Sequence, residues 1–482
     1  MRPVVTPEEM AAIDAEAPEP VEELIERAAW ATARAAIELL GSPYGKRVAI
    51  LAGPGNNGED ARRAVPHLER RGARCTVIPF PFPFRPGTGG GRRFDLIVDG
   101  CVGTGLARPF DRSALDLVIG DTPVLAVDIP SGVDGLTGVV RGQPIPATAT
   151  VTFAAAKPGL LLAPGRELAG SVTVADIGLD CGRATIHHVG PADVLAGWPR
   201  RDPDHHKWRS AVLVIGGSPG MTGAPGLAAT AALRAGAGYA TIAVPGTGPD
   251  GADGRDGTAG RTGDTAALQT DPVEAVAVPA PANWGDADID RLDRHRSVVI
   301  GPGLVTAPAQ LRAFLQRATM PLVIDAGALS ALAALIDAAG PSTIPARVDA
   351  VLTPHEGEFA TLVTALGADG PGREAVDSDR IGAVRAVAAA LGAVVLLKGR
   401  TTVVADPAGS VLLSTAGDQR LATAGTGDVL SGVIGAGLAA GLDPLAAAGL
   451  GAELHGIGGS TGHRVGLVAS DLPLRIAAVL SD

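Results

Sequence analysis

The residues with the plainest chemical potential lie near the end of the chain, in Ala424-Gly-Thr-Gly-Asp-Val-Leu-Ser-Gly, which leads into a long run of small residues. Gly425-Thr-Gly at a helix N-terminus forms a cradle of N–H donors for developing negative charge, and Asp428 stands beside it as a base. A phosphoryl transfer needs both, a base for the acceptor hydroxyl and fixed donors for the migrating group. The plainer reading makes Asp428 an ordinary helix cap. Capping does not account for the other polar turns, each at the end of an apolar run: Gly216-Gly-Ser-Pro-Gly, Gly301-Pro-Gly, Asp325-Ala-Gly-Ala-Leu, Thr353-Pro-His-Glu-Gly-Glu and Lys398-Gly-Arg-Thr.

The first half holds a separate set. Gly53-Pro-Gly-Asn-Asn-Gly-Glu-Asp follows an apolar run and opens a helical one, so its backbone N–H groups can face a phosphate. Alone it reads equally well as a bare turn with Asn at positive φ. Asp99-Gly-Cys-Val-Gly-Thr-Gly-Leu and Val127-Asp-Ile-Pro-Ser-Gly-Val-Asp add two more strand ends. Asn57, Asp99 and Ser131 offer the hard oxygens that bind an alkali cation, and Asp128 is placed to act as acid and base. Only four lysines occur, Lys46, Lys157, Lys207 and Lys398, so a lysine kept beside a glycine turn is informative.

The elements that must position these turns follow from periodicity. Two helices fit residues 7–40, broken near Pro18 and Pro20. Apolar strands are expected at 47–52, 74–78, 95–98, 124–127 and 149–153, with a helix from about Glu59 to Arg71. A second series of strands falls at 211–215, 239–244, 297–300, 322–324, 350–352 and 394–397, with helices between most. Fully apolar strands alternating with helices imply parallel sheets covered on both faces, with crevices at the strands' carboxyl ends. From Cys181 to Arg209 the chain turns polar and irregular, which places the boundary between domains 1–195 and 205–482. The stretch Gly246 to Thr265 is too poor in apolar side chains to be buried and reads as a mobile loop, and Pro79 to Gly91 is similar.

At 482 residues two domains are expected. A net charge of -11 without a basic arm argues against a nucleic-acid partner. No uncharged apolar run approaches the about 20 residues that a membrane span requires. The polar start, Met1 to Met10, is not a secretory signal. Cys75, Cys101 and Cys181 form neither a disulfide framework nor a zinc motif, which fits a reducing cytoplasm.

The first set of turns resembles that of the NAD(P)H-hydrate epimerases, whose pattern runs Gly-x-Gly-Asn-Asn-Gly-Gly-Asp-Gly, then Asp-x-x-x-Gly-Thr-Gly-Leu, then Asp-x-Pro-Ser-Gly. The likeness covers most of residues 1–180 and implies a Rossmann-like three-layer sandwich. It implies that Asn57, Asp99 and Ser131 hold potassium. It also implies that Asn56, Asn57, Gly58, Glu59, Asp60, Gly103, Thr104, Gly105 and Leu106 hold the dinucleotide, and that Asp128 is catalytic. Glu59 stands where the family has Gly, bringing a carboxylate into a loop meant for phosphate, and the chain is short between Ile78 and Phe94, as if a helix were missing.

The second set, in its order along 207–482, is similar to that of the ADP-dependent NAD(P)H-hydrate dehydratases, a branch of the ribokinase-like three-layer α/β sandwiches. By that likeness Ala224, Gly303, His355 and Asp428 face the hydrated dinucleotide, with Asp428 catalytic. Lys398, Gly399, Arg400, Thr401, Thr402 and Gly427 hold the adenine nucleotide. Gly327 departs from a family pattern that often has a second Asp there. The implied chemistry phosphorylates the hydroxyl on carbon 6 of hydrated NADH or NADPH with ADP and magnesium, then eliminates phosphate; the first domain interconverts the R and S epimers. A cytoplasmic homo-oligomer is expected. A small-molecule kinase that keeps the phosphate on its product, with a non-catalytic nucleotide-binding module in front, stands as the rival.

Overall fold

In the computed structural model the described residues are 1–82, 93–115, 117–246, 272–287, 289, 292–372, 376 and 378–481. Of the expected loops Pro79 to Gly91 and Gly246 to Thr265, residues 83–91 and 247–265 lie outside the described residues; the head of the first is not a mobile loop, since Pro79 ends a strand and Phe82 is buried. The chain forms two compact units, Arg2–His187 and His188–Asp482 with Met1.

In the first unit the strands lie in the order Arg74–Pro79, Arg47–Ala52, Leu96–Gly100, Val124–Val127, Ala149–Phe153 and Ser171–Ala175, every neighbouring pair parallel. Leu96–Gly100 and Val124–Val127 are buried along their whole length, as expected of strands covered on both faces. One face is covered by the helices Val21–Leu40 and Asn56–Glu69, whose Ala28, Ala36, Ala61, Ala64 and Leu68 pack on Val48, Ile50, Val98 and Leu125. Small side chains let these helices approach the sheet closely. On the other face Phe82, Phe94, Leu106, Phe110 and Ile145 cover Ala49, Leu51 and Ile97. Phe80 stacks on Phe82 and on Phe110 with ring centroids 5.2 Å apart in each case. The helix at the glycine turn begins at Asn56, three residues before the sequence expectation, because Gly55 is its cap and the Asn-Asn pair already lies in the first turn.

The second unit is built on a sheet ordered Val411–Ser414, Thr402–Ala405, Val394–Leu397, Ala350–Leu352, Leu322–Ile324, Ser297–Ile300, Ala211–Ile215, Tyr239–Pro245 and Val276–Ala280. Thr402–Ala405 runs antiparallel to both neighbours and the other pairs are parallel. Helices Gly223–Arg234, Thr426–Ala439, Pro444–Ser460 and Leu472–Val479 cover one face through a continuous apolar core. The stretch read as irregular contains a strand, Ile186–Val189, and a short helix, Pro191–Gly197. Val189, Val194 and Trp198 join that core, and the indole N–H of Trp198 donates to the Ala235 carbonyl at 2.8 Å. The prolines and charges of the segment hid this, since its apolar residues are too few to show a period. No helix among the described residues is long and apolar enough to cross a membrane.

Candidate functional site

The carboxyl ends of the first sheet bring the predicted residues onto neighbouring strands. Asp99 is fully buried at the end of Leu96–Gly100. Its Oδ1 accepts from Ser131 Oγ at 2.7 Å and its Oδ2 from the Ser131 amide at 2.9 Å. Ser131 Oγ in turn accepts from the Val102 amide at 3.0 Å. Asn57 crosses to the next strand end, its side-chain amide donating to the Val127 carbonyl at 2.7 Å. Gly103 must lack a side chain, because a Cβ there would stand 2.5 Å from Asn57 Oδ1. Likewise a Cβ on Gly58 would stand 2.0 Å from the Gly53 carbonyl oxygen, so the loop closes on itself through glycine. Burial pushes the Asp99 carboxyl up, against the hydrogen bonds from Ser131 and Cys101 that pull it down. No cation pairs with it among the described residues.

Asp128 lies in a tight turn with φ 68°, and the Ile129 amide closes the turn by donating to the Val127 carbonyl at 2.8 Å. Its Oδ1 accepts from Lys157 Nζ at 2.5 Å and from Thr152 Oγ1 at 2.8 Å. Lys157 and Thr152 were absent from the sequence-derived site. Asp60 is buried in the first helical turns, and burial, then the nearby Asp128, pushes its carboxyl up to about 8.

Glu59 turns away from the loop. Its carboxylate takes Arg63 Nε at 2.9 Å and Arg62 Nη1 at 3.5 Å, one turn along the helix, and Arg63 foremost holds it below the usual range. Glu59→Gly is therefore expected to leave epimerase kcat/KM within about threefold, while costing about 1 kcal/mol of helix stability. Initial rates on the R epimer check this, and a gain above about tenfold would mean that the carboxylate does face the phosphate.

In the second unit Thr426–Ala439 starts at Gly425, φ 88°, without a side-chain cap; the Thr426 amide donates to the Thr423 carbonyl at 3.4 Å, so it is the amides that follow which can face an anion. Asp428 lies in that first turn; burial first, then the Asp325 charge, pushes it up to about 7. Asp325 Oδ1 accepts from Lys398 Nζ at 3.1 Å and Oδ2 from Ser431 Oγ at 2.5 Å. A Cβ on Gly427 would stand 3.3 Å from Lys398 Nζ, so glycine keeps the space before the helix open to that cation. Ala224 and Gly303 come together, 3.1 Å between the Ala224 Cβ and a Cβ built on Gly303. At Gly327 a Cβ would meet the Leu304 carbonyl oxygen at 1.8 Å, so this backbone position takes only glycine and offers no second carboxylate beside Asp325.

His355 caps the helix Glu356–Leu366, its Nδ1 accepting from the Gly357 and Glu358 amides at 3.0 and 3.3 Å. The ring is mostly exposed and Nε2 points outward, 3.5 Å from Glu358 Oε2. Gly399 to Thr402 form the turn of the hairpin behind Lys398. A Cβ on Gly399 would stand 2.3 Å from Arg380 Nη2, which donates to the Lys398 carbonyl at 2.8 Å. Thr401 is buried in this turn and Thr402 opens the antiparallel strand. Asp325, Ser431 and Arg380 join the site beside the residues that the sequence resemblance implies. Asp325 had a sequence signal in its place at a strand end, and Ser431 in its place within the Ala424 to Gly432 motif; Arg380 had none. No group of three or more His, Cys, Asp or Glu side chains that could hold a metal ion occurs among the described residues.

Residues 257–479 match the NAD(P)H-hydrate dehydratase family, and residues 21–88 and 82–159 match the YjeF-related protein N-terminus family. The chain is 36% identical over 477 residues to the bifunctional NAD(P)H-hydrate repair enzyme Nnr of Moorella thermoacetica, covering 88% of this chain and 84% of that one. It is 37% identical over 424 residues to the Mycobacterium tuberculosis enzyme of the same name, covering 83% and 80%. Among solved structures it is similar to the Bacillus subtilis ADP/ATP-dependent NAD(P)H-hydrate dehydratase co-crystallised with ATP and Mg2+, at 28% identity and TM-score 0.48, covering 60% of this chain and 96% of that one. Whole-length relatives that share both halves set aside the reading of a small-molecule kinase behind a non-catalytic module, and the chain belongs to the bifunctional NAD(P)H-hydrate repair enzymes, carrying an epimerase and a nucleotide-dependent dehydratase.

Proposed function

We propose that residues 205–482 dehydrate the S hydrates of NADH and NADPH with ADP, releasing AMP and phosphate, and that residues 1–195 interconvert the R and S forms. One observation carries the dehydratase: Asp428, held near neutrality, stands in the first turn of an uncapped helix with Lys398 beside it. Asp428 takes the proton of the carbon 6 hydroxyl as that oxygen attacks the terminal phosphorus of ADP. AMP leaves as the new P–O bond forms, the amides of Gly425 and Gly427 and the Lys398 ammonium holding the charge on the transferring group; phosphate then leaves carbon 6 while carbon 5 loses a proton to water and the C5–C6 double bond forms. Ala224, Gly303 and His355 line the dinucleotide side, and Lys398, Gly399, Arg400, Thr401, Thr402 and Gly427 the adenine-nucleotide side.

No cluster of three ligating side chains stands here among the described residues, so magnesium would be held chiefly by the nucleotide's own phosphates and water, which suits an ion that commonly takes few carboxylates from protein and leaves Asp428 as the base. When bound it offsets charge on the phosphates. In the first unit Asn57, Asp99 and Ser131 would hold potassium, and the fully buried Asp99 carboxylate, lacking a cationic partner among the described residues, supports this. That ion would order the loop beneath the dinucleotide. Asn56, Asn57, Gly58, Asp60, Gly103, Thr104, Gly105 and Leu106 surround the dinucleotide, Glu59 contributing only its backbone, with Asp128 as base. A homo-oligomer working in the cytoplasm completes the reading.

The test is an epimer mixture of hydrated NADH given to the whole chain with magnesium and potassium. ADP is expected to restore the reduced-nicotinamide absorbance in full, with one AMP and one phosphate per dinucleotide. A stable phosphorylated product without absorbance would mean that the site is a kinase.

A further inference from the structure

Lys157 is only 1% exposed. Its ammonium donates to Asp128 Oδ1 at 2.5 Å, to Thr152 Oγ1 at 3.0 Å and to the Phe153 carbonyl at 3.0 Å, which uses all three N–H groups. Thr152 adds a second donor to the same Asp128 oxygen. Oδ1 is therefore doubly bound, while Oδ2 has no partner among the described residues. Two neighbouring strand ends deliver this pair through left-handed turns at residues other than glycine, Asp128 at φ 68° and Ala154 at φ 62°. The Ala155 amide closes the second turn on the Phe153 carbonyl at 2.7 Å. Such conformations are costly and cluster where function demands a fixed direction. A buried ion pair contributes little to stability over an apolar pair of the same volume, so the fold alone does not call for this one.

We propose that Lys157 is a positioning residue for epimerisation, holding Asp128 by Oδ1 so that it presents only Oδ2 to the carbon 6 hydroxyl of the hydrate. This rests on the reading of Asp128 as the epimerase base. The hydrate is a hemiaminal, so its epimers exchange by ring opening. Oδ2 takes the hydroxyl proton, the oxygen pair forms the carbonyl, and the N1–C6 bond breaks with its electrons going to nitrogen. N1 takes a proton from the Asp60 carboxyl. Rotation about C5–C6 and the reverse transfers close the ring on the other face and return both protons. Asp60 suits the acid role because it is buried, has no hydrogen-bond partner among the described residues and is held up to about 8. Glu59 and Arg63 act on Asp60 from its own helix, Asp14 reaches Asp60, Asp128 and Lys157 from another, and Cys181 lies within reach of Lys157.

The whole chain is assayed on the R epimer with ADP, magnesium and potassium, where its own dehydratase converts each S molecule formed into absorbance, and spontaneous epimerisation is subtracted. Lys157→Gln is expected to lower epimerase kcat by about 100-fold, with KM within about threefold, and to move the acid limb of the pH profile up by about one unit or more, because Asp128 loses its cation. A kcat within about threefold of the natural chain, or a lost rate with an unmoved acid limb, overturns the proposal in favour of a purely structural lysine. Should Lys157→Gln lack a cooperative melt, Thr152→Val, which keeps both charges, is decisive. It is expected to cost about tenfold with an upward limb shift, and an unchanged profile overturns the proposal. Full epimerisation by Asp128→Asn would instead remove the base itself, a failure of the parent reading that the lysine variants alone do not produce.

Discussion

Asp428→Asn is expected to lower dehydration of the S hydrate by about 100-fold or more, as loss of a general base does, while making the second unit harder to unfold above neutral pH. The two effects share one cause. Burial and the Asp325 charge raise the folded-state pKa from 3.8 to about 7, although Lys398 pulls the other way. Between those values the unfolded chain releases this proton and the folded chain keeps it. Stability is therefore lost as pH climbs from about 4 to about 7, and the cost levels off above that. Asn carries no such cost, and with allowance for partial exposure the gain is about 1–3 kcal/mol at pH 8, vanishing below about pH 4. In the natural chain kcat/KM should fall about tenfold per unit below pH 7, as the free base becomes protonated. Absorbance recovery with ADP and urea melts at pH 4 and 8 check both. Near-normal turnover would return Asp428 to the role of a helix cap.

The strands that carry the sites were legible because they are continuous apolar runs ending in polar glycine turns, and a parallel sheet puts all such turns on one edge. The hairpin of Thr402–Ala405 and Val411–Ser414 was not, since an antiparallel pair at the far side of a parallel sheet obeys no alternation with helices. Glu59 could have been placed from sequence, because Arg62 and Arg63 follow at the helical spacings that pair charges. His355 likewise announces a cap through Glu358 three residues on. The partners of the catalytic carboxylates could not. Lys157 meets Asp128 across 29 positions, and Ser431 meets Asp325 across 106. Those distances close only when neighbouring strands, or a strand and the helix packed on it, come into register. Such partners carry no local period or capping signal; a buried lysine in an apolar segment is the trace that sequence retains.

Asp128→Asn is expected to abolish epimerisation beyond the spontaneous rate, a loss of about 100-fold or more, and here stability should fall rather than rise. Asp128 has an opposite charge at 2.5 Å, and its replacement leaves the Lys157 ammonium, 1% exposed, facing a neutral amide. Removing one partner of a buried pair costs about 3–5 kcal/mol, a large share of the about 5–15 kcal/mol that hold a domain together. The Asn carbonyl can still accept from Thr152 and Lys157, which places the cost at the lower end. The backbone is not at fault, because Asn tolerates the left-handed turn at φ 68°. The first unit should then melt at lower urea with an unchanged slope, while dehydration of pure S hydrate by the second unit stays intact. Unaltered stability would mean that the lysine sheds its proton once unpaired, and a Lys157→Met/Asp128→Asn double variant, which removes both charges, separates the cases: recovery of the urea midpoint attributes the loss to the orphaned ammonium, whereas epimerisation stays lost because no base remains.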